Sequence, residues 1–356
     1  MKPRAILGGL VLLAALCASP ASAQRASEDD AAFERALDIV GDDPAGARKL
    51  IEPLADKGDG EALNFLATLI EYGGPDWEPN GERARELREA AFRAGSKTAA
   101  MNIAIDLMMD QDADHSRAID LLRFADTEEK LRAVTAHPWG RAYMFGWGVP
   151  QDMKRGVAYL EAFVAQSHDD GMMQSDANYL IGRAYQNGWE VPVDEGRAFD
   201  HMRKAADGGD RRAQWHAAMM IIQGKGAEVN EEEAYALVKK SSEAGYTDGM
   251  ISRAVMLATG QGVKEDDEAA RDWYFRAAQE HSAHALRGLG MMLVIGEGGE
   301  AYPALGFALL QLAAEAGEEN ATTLLERFKQ DMPPQEDIAD ARQAWVADMG
   351  TPDPVE

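Results

Sequence analysis

Four glycines, Gly188, Gly224, Gly260 and Gly296, stand 36 residues apart, and the chain around them repeats at the same spacing. Ala205, Ser241, Ala277 and Ala313 keep that interval, as do their neighbours Ala206, Ser242, Ala278 and Ala314. Gly209, Gly245 and Gly317 share a third phase, with His281 in the remaining slot. Gly182, Ala218, Ala254 and Gly290 share a fourth, and Tyr185, Ile221, Leu257 and Leu293 are apolar at a fifth. Agreement at five small or apolar columns makes this an array of similar units, with stability spread over neighbouring interfaces instead of one central core.

Each unit reads as two helices. One runs near Ala213 to Gln223 and the other near Glu231 to Glu243, with apolar residues three and four apart, as in Ala234, Leu237 and Val238. The Gly-x-Gly between them suits a helix C-terminus that needs a left-handed residue. Small residues near the end of the second helix allow close backbone approach. Helices this short cannot bury their apolar stripes alone.

Upstream the period loosens. Ala142 to Val149, followed by Gly156 to Ala165, forms a clear unit, but Gly146 precedes Gly188 by six residues too many. The segment His168 to Gln174 is the expected place of that insertion. Further hairpins are expected over Asp30–Val40 with Ala45–Lys57, Ala62–Gly73 with Ala84–Gly95, and Ala99–Met109 with His115–Ala125. Ala321–Lys329 and Glu336–Ala347 read as closing helices. The array is therefore placed at 24–330, in about seven units that are clearest over 138–318, with a capping helix at 331–350 and a disordered tail at 351–356.

The unit from Tyr179 to Ala213 carries Gly182, Tyr185 and Gly188; another carries Gly260, Gly262, Val263, Asp266, Ala270, Trp273, Ala277 and Ala278. In these residues the chain resembles the Sel-1-like repeat family, relatives of the tetratricopeptide repeat. The resemblance covers roughly residues 45–330. It implies an all-α, right-handed α/α superhelix (solenoid) of helix-turn-helix repeats, and an adaptor in protein complexes. Some secreted members carry a disulfide in each repeat; this chain departs from them.

Residues 1–23 read as a secretory signal peptide: Lys2 and Arg4, an apolar stretch from Ile6 to Leu16, and Ala21-Ser22-Ala23 before Gln24. The stretch is too short to span a bilayer. The expected location is periplasmic or extracellular. Cleavage would remove Cys17, the single cysteine, leaving neither a disulfide framework nor a cysteine nucleophile. The formal charge of −25 disfavours nucleic acid and anionic lipid, and favours a partner with a basic surface.

Other chemical readings are bland. Asp110, Asp112 and Asp114 lack the glycine and glutamate of a calcium loop and suit a capping turn. His281 and His284 lack a third zinc ligand. No Gly-x-Ser-x-Gly, His-Glu-x-x-His or phosphate-loop pattern occurs. No cofactor or metal and no catalysis is expected.

The candidate contact residues are aromatic or basic. Trp139, Tyr143, Phe145 and Trp147 cluster in one unit, and Trp189 fills the equivalent loop slot of the next. Tyr179, Trp215, Ile251 and Arg287 form one column of the first helices. Trp147, Trp189, Tyr179, Trp215 and Arg287 are therefore the expected partner-binding residues, and Trp273 is expected to pack between helices. The expected function is an exported, non-enzymatic scaffold for a protein or peptide, within an envelope assembly complex. Two other readings stay open: an accessory module for envelope glycan, peptidoglycan or exopolysaccharide machinery, and an enzyme inhibitor or regulator.

Overall fold

The computed structural model describes residues 27–110, 113–166 and 171–350. The signal-peptide stretch, Asp112, His168 to Asp170 of the insertion and the tail Thr351 to Glu356 lie outside the described residues. The described residues form α-helices joined by short turns, with one isolated β-bridge between Gly74 and Trp77 and no strand. They divide into two compact units, the chain passing from one to the other within residues 184–193.

The first unit is a run of helical hairpins: Ser27–Ile39 with Pro44–Asp56, Gly60–Tyr72 with Gly81–Arg93, Lys97–Met109 with His115–Ala125, and Arg132–Phe145 with Met153–Gln166. The helix Met172–Asn187 follows. The second contains Glu195–Asp207, then Arg211–Gln223 with Glu231–Glu243, Thr247–Thr259 with Asp267–Gln279, and Ala283–Ile295 with Pro303–Glu315. Glu319–Arg327 and Gln335–Met349 end it. Most of these hairpins match the expected ones to within a few residues at either end; the unit expected from Ala142 begins ten residues earlier, at Arg132.

Local chemistry sets the boundaries. Asp194, Asn230 and Asp266, one repeat apart, each accept a hydrogen bond from the backbone N–H three residues on and so start the second helices. Asp114 does the same for the His115–Ala125 helix, which is the capping role expected of that acidic turn. Gly188, Gly224, Gly260 and Gly296 end the first helices with φ between 66° and 75°. His281, in a glycine column, also takes positive φ (60°) in the turn, and His284 is exposed at the start of Ala283–Ile295. The insertion before Gly188 is partly helical: Met172–Asn187 has 16 residues, whereas Arg211–Gln223 has 13.

Packing is local, as a repeat array requires. Phe33, Ile51, Leu54, Phe65 and Leu69 form one cluster of the first unit, and Ile119, Leu122, Trp139 and Ala142 belong to another. In the second unit Ala254, Leu257, Tyr274, Leu286, Leu289, Leu293 and Leu310 share a cluster. Trp273 packs against it between the guanidinium groups of Arg253 and Arg276, consistent with a packing role. Leu257 is 5% exposed. Truncating Leu257→Ala should cost about 2 kcal/mol, the lower range for a buried leucine, because neighbouring hairpins can partly close the cavity. Urea denaturation followed by circular dichroism measures this, and an unchanged midpoint would remove Leu257 from the core.

The closing segment departs from a simple cap. Glu319–Arg327 continues the first-helix series, but Gln335–Met349 runs back over the preceding second helices. Ile338 packs with Phe307, Arg342 makes two bonds to Glu315 (2.7 and 2.6 Å), and Trp345 meets Phe275 edge-on at 6.0 Å. The helix therefore covers second-helix side chains from two repeats.

Candidate functional site

In the first unit, two consecutive first helices end in the same way. After Phe145, Gly146 turns the chain, and the Trp147 N–H donates to the Ala142 carbonyl at 3.0 Å. After Asn187, Gly188 turns it, and the Trp189 N–H donates to the Ala184 carbonyl at 3.1 Å. Each tryptophan thus lies over the last turn of its own helix. Each also meets an arginine six residues earlier: Arg141 lies 5.1 Å from the Trp147 ring centre, and Arg183 lies 5.6 Å from that of Trp189. Both tryptophans are half-buried, so part of each ring stays exposed beside its arginine.

The first of these pairs is more elaborate. Trp147 stacks on His115 at 4.6 Å with planes 5° apart, and Phe145 tilts against it at 4.7 Å. The stack follows from the glycine at 148, whose missing Cβ would stand 2.7 Å from the His115 carbonyl oxygen. Glycine lets the loop settle on the start of the His115–Ala125 helix, carrying Trp147 onto the imidazole. In the next loop Glu190 occupies that place at φ 54°, and its carboxylate accepts from the Lys154 N–H at 3.3 Å. The period breaks there, and a side-chain bond replaces the close backbone approach.

Arg141 is held from behind. Its Nη1 donates to the Asp176 carboxylate at 2.7 Å, and His137 Nε2 lies 3.0 Å from the same oxygen. His137 is 2% exposed and Asp176 is 7% exposed. Burial works against the charge on Asp176, but the His137 hydrogen bond and the Arg141 charge outweigh it, holding the carboxyl well below the usual carboxylate range. This triad joins helices Arg132–Phe145 and Met172–Asn187 and fixes Arg141 beneath Phe145 and Trp147. Buried this deeply, the His–Asp pair serves as a tie between helices. Sequence reasoning missed it, because its members lie 35–39 residues apart across the insertion. The available signal was an aspartate interrupting the interior face of Met172–Asn187.

The other expected contact residues are spread out. Tyr179 is 8% exposed and its hydroxyl accepts from Arg183 Nη1 at 3.1 Å, so it supports Arg183 from within the stack and presents little surface. Trp215 donates through Nε1 to Ser252 Oγ at 2.8 Å and meets the Tyr246 ring. Arg287 pairs with Glu318 at 3.2 Å. Trp215 and Arg287 belong to the second unit, and each spends its polar group on the following hairpin. In the column read as ligand-facing, Trp215 and Arg287 thus bond to the next hairpin, while Tyr179 bonds within its own helix. Trp139 is buried with its Nε1 on Asp126, while Tyr143 and Tyr159 stack at 5.7 Å under Arg155. Structure therefore brings Trp147, Phe145, Arg141 and His115 together, with Trp189 and Arg183 repeating the arrangement. Among the described residues no group of three His, Cys, Asp or Glu side chains could hold a metal ion, and no helix is long and apolar enough to cross a membrane.

The Sel1 repeat family model matches residues 60–96, 139–168, 175–210, 211–246, 247–282 and 283–318, more than half of the chain. Residues 169–174, left between two matched segments, coincide with the insertion. No curated protein matches the sequence. Among solved structures, the chain is similar to c5321, a protective antigen of uropathogenic Escherichia coli strains displaying an SLR fold. That similarity has 16% identity over 97% of this chain and 86% of that one, with a TM-score of 0.54. It is also similar to a Sel1 repeat protein from Oxalobacter formigenes, with 17% identity over 69% of this chain and 97% of that one and a TM-score of 0.56. At such identities the likeness speaks for the fold alone. The repeated columns, the hairpins they build and the six matched segments lead to one conclusion: this chain is an all-α solenoid belonging to the Sel1 repeat family, whose members are generally protein–protein interaction scaffolds.

Proposed function

We propose that the protein is an exported, non-enzymatic scaffold, and that the arginine–tryptophan surface of its first unit holds a protein partner. The observation carrying this reading is the recurrence of one arrangement in consecutive repeats: Arg141 with Trp147, and Arg183 with Trp189. Tryptophan and arginine are the side chains most often found as interface anchors. Here both are pre-positioned, Arg141 by Asp176 and Arg183 by Tyr179, which lowers the entropy a partner must overcome. Phe145 adds apolar surface, being 40% exposed beside Trp147. Export rests on the Lys2–Ala23 pattern and its Ala-x-Ala site.

The test is crosslinking in the intact cell envelope, followed by quantitative mass spectrometry. A partner recovered with the native protein should fall about tenfold or more with Trp147→Ala/Trp189→Ala, which corresponds to the loss of one interface hot spot. Equal recovery would overturn the assignment of this surface. An envelope glycan reading is kept because aromatic faces also stack on sugar rings. It predicts that purified peptidoglycan or exopolysaccharide binds the native protein and not the double variant. N-terminal sequencing of protein recovered from the envelope should begin at Gln24; a start at Met1 would argue against export.

A further inference from the structure

The second unit has a cleft of about 720 Å³ that the first-unit surface does not involve. Its walls are the second helices Asp267–Gln279 and Pro303–Glu315, and Leu289 and Leu293 of the intervening first helix line it between them. Phe275, Leu305 and Trp345 supply further apolar lining, Trp345 coming from the returning terminal helix. Three carboxylates, Asp266, Glu268 and Asp272, stand around it against one guanidinium, Arg271. Asp266 caps Asp267–Gln279 through one oxygen, and Asp272 lies 2.9 Å from Arg276 outside the cleft, which leaves Glu268 as the principal rim carboxylate. Arg271 is already engaged: its Nη1 donates to the Glu300 carbonyl at 2.8 Å, and its guanidinium lies over the Tyr302 ring.

The cleft sits where the repeat columns break. Phe275 occupies the column of Lys239, and Tyr302 that of Asp266, one repeat earlier in each case. Two polar columns have become apolar here, one in each of two consecutive repeats. Trp345 accounts for part of the change by covering Phe275. It does not account for Tyr302, which remains 49% exposed at the cleft edge. An apolar floor inside a carboxylate rim selects a ligand that is apolar in the middle and cationic at its ends.

We propose that this cleft binds a segment of a protein partner in which a bulky aliphatic residue is flanked by lysine or arginine. The aliphatic side chain enters between Phe275 and Leu305, and the flanking cations face Glu268 and Asp266. Charge complementarity carries the choice of occupant: the rim is acidic, its single cation is engaged, and the chain as a whole has a formal charge of −25. An acidic segment would be repelled by the same rim.

Fluorescence anisotropy tests this on the full-length protein. The probe is a short labelled peptide with a central Leu-Leu pair between Lys and Arg residues; its counterpart carries Glu at the flanks. The basic peptide should bind and the acidic one should not. Affinity should fall about tenfold with Glu268→Lys and comparably with Tyr302→Ala, both at exposed positions where folding, checked by circular dichroism, is expected to persist. Glu86→Lys, an exposed charge reversal in the first unit, should leave affinity unchanged. If Glu86→Lys weakens binding as much as Glu268→Lys, bulk charge is responsible and the proposal falls. It also falls if the basic peptide does not bind, or if neither cleft variant alters binding. Trp147→Ala/Trp189→Ala should not change the anisotropy, so this site and the first-unit surface can fail independently.

Discussion

Replacing Asp176 with alanine should destabilise the first unit by about 4 kcal/mol, because it leaves a buried cation without its counter-ion. Arg141 is only 12% exposed at its side chain, and the imidazole of His137 is buried still further. Neither can turn to water without opening the contact between Arg132–Phe145 and Met172–Asn187. Asp176→Asn should cost roughly half as much, since an amide oxygen still accepts from Arg141 but supplies no charge. The damage should be local, because each repeat is coupled chiefly to its neighbours. Hydrogen exchange read by mass spectrometry should show faster exchange in residues 132–187, with Ala283–Ile295 unchanged. A melting curve for Asp176→Ala that overlays the native one would show that the triad stabilises nothing.

The same carboxylate makes a signed prediction about pH. Its folded pKa lies below its unfolded value of about 3.9. The stabilisation it supplies is therefore complete above roughly pH 4 and is lost as pH falls through the lower folded value. Glu61 has the opposite sign. Burial raises its pKa, and the hydrogen bond from Ser96 only partly offsets this. Its contribution is present below its ordinary range and lost as pH rises through the raised value. Asp176→Ala should thus flatten the acid side of the stability profile below about pH 4, leaving the Glu61-dependent slope just above it unaltered.

Most of the fold was legible because its determinants are local and recur. A helix stop such as Gly224, a start such as Asp266 and a small pair such as Ala277-Ala278 each act within a few residues, and repetition separates them from chance. The site was legible only in part. Trp147 and Trp189 stand out because aromatic residues in a loop slot break the repeat. Tyr179, Trp215 and Arg287 were read as facing a ligand because their column lies on the first helices. Helical periodicity fixes a face but not the partner across it; Asp176 and Ser252 sit on neighbouring helices and Glu318 caps one, in positions no spacing rule foretells. His137 supplies an example: it begins the same column, and the inserted residues before Gly188 hid the register that pairs it with Asp176. The terminal helix was legible as a helix, but its return over Phe275 depends on contacts about 70 residues apart.

The second glycine of each Gly-x-Gly has a role beyond turn geometry, and Gly262→Ala should expose it with a loss of about 3 kcal/mol. Gly262 has φ 67°, where an alanine costs roughly 1–2 kcal/mol in backbone strain. An added Cβ would also stand 2.0 Å from the carbonyl oxygen of Glu231. That oxygen cannot retreat easily: Glu231 begins a helix held by the Asn230 cap, and its carboxylate accepts from Gln261 at 2.9 Å. The loop must lift away, loosening one repeat from the preceding one. Gly260 provides the control. It has nearly the same φ, 69°, yet its added Cβ would find no atom nearer than 3.7 Å. Gly260→Ala should therefore show the strain alone, about 1 kcal/mol. Comparing urea midpoints separates the two terms. If both variants lose the same amount, the close approach contributes nothing, and the glycine recurring at 226, 262 and 298 answers only to its φ. A larger loss at Gly262 assigns this glycine column to the docking of each loop on the second helix of the repeat before it.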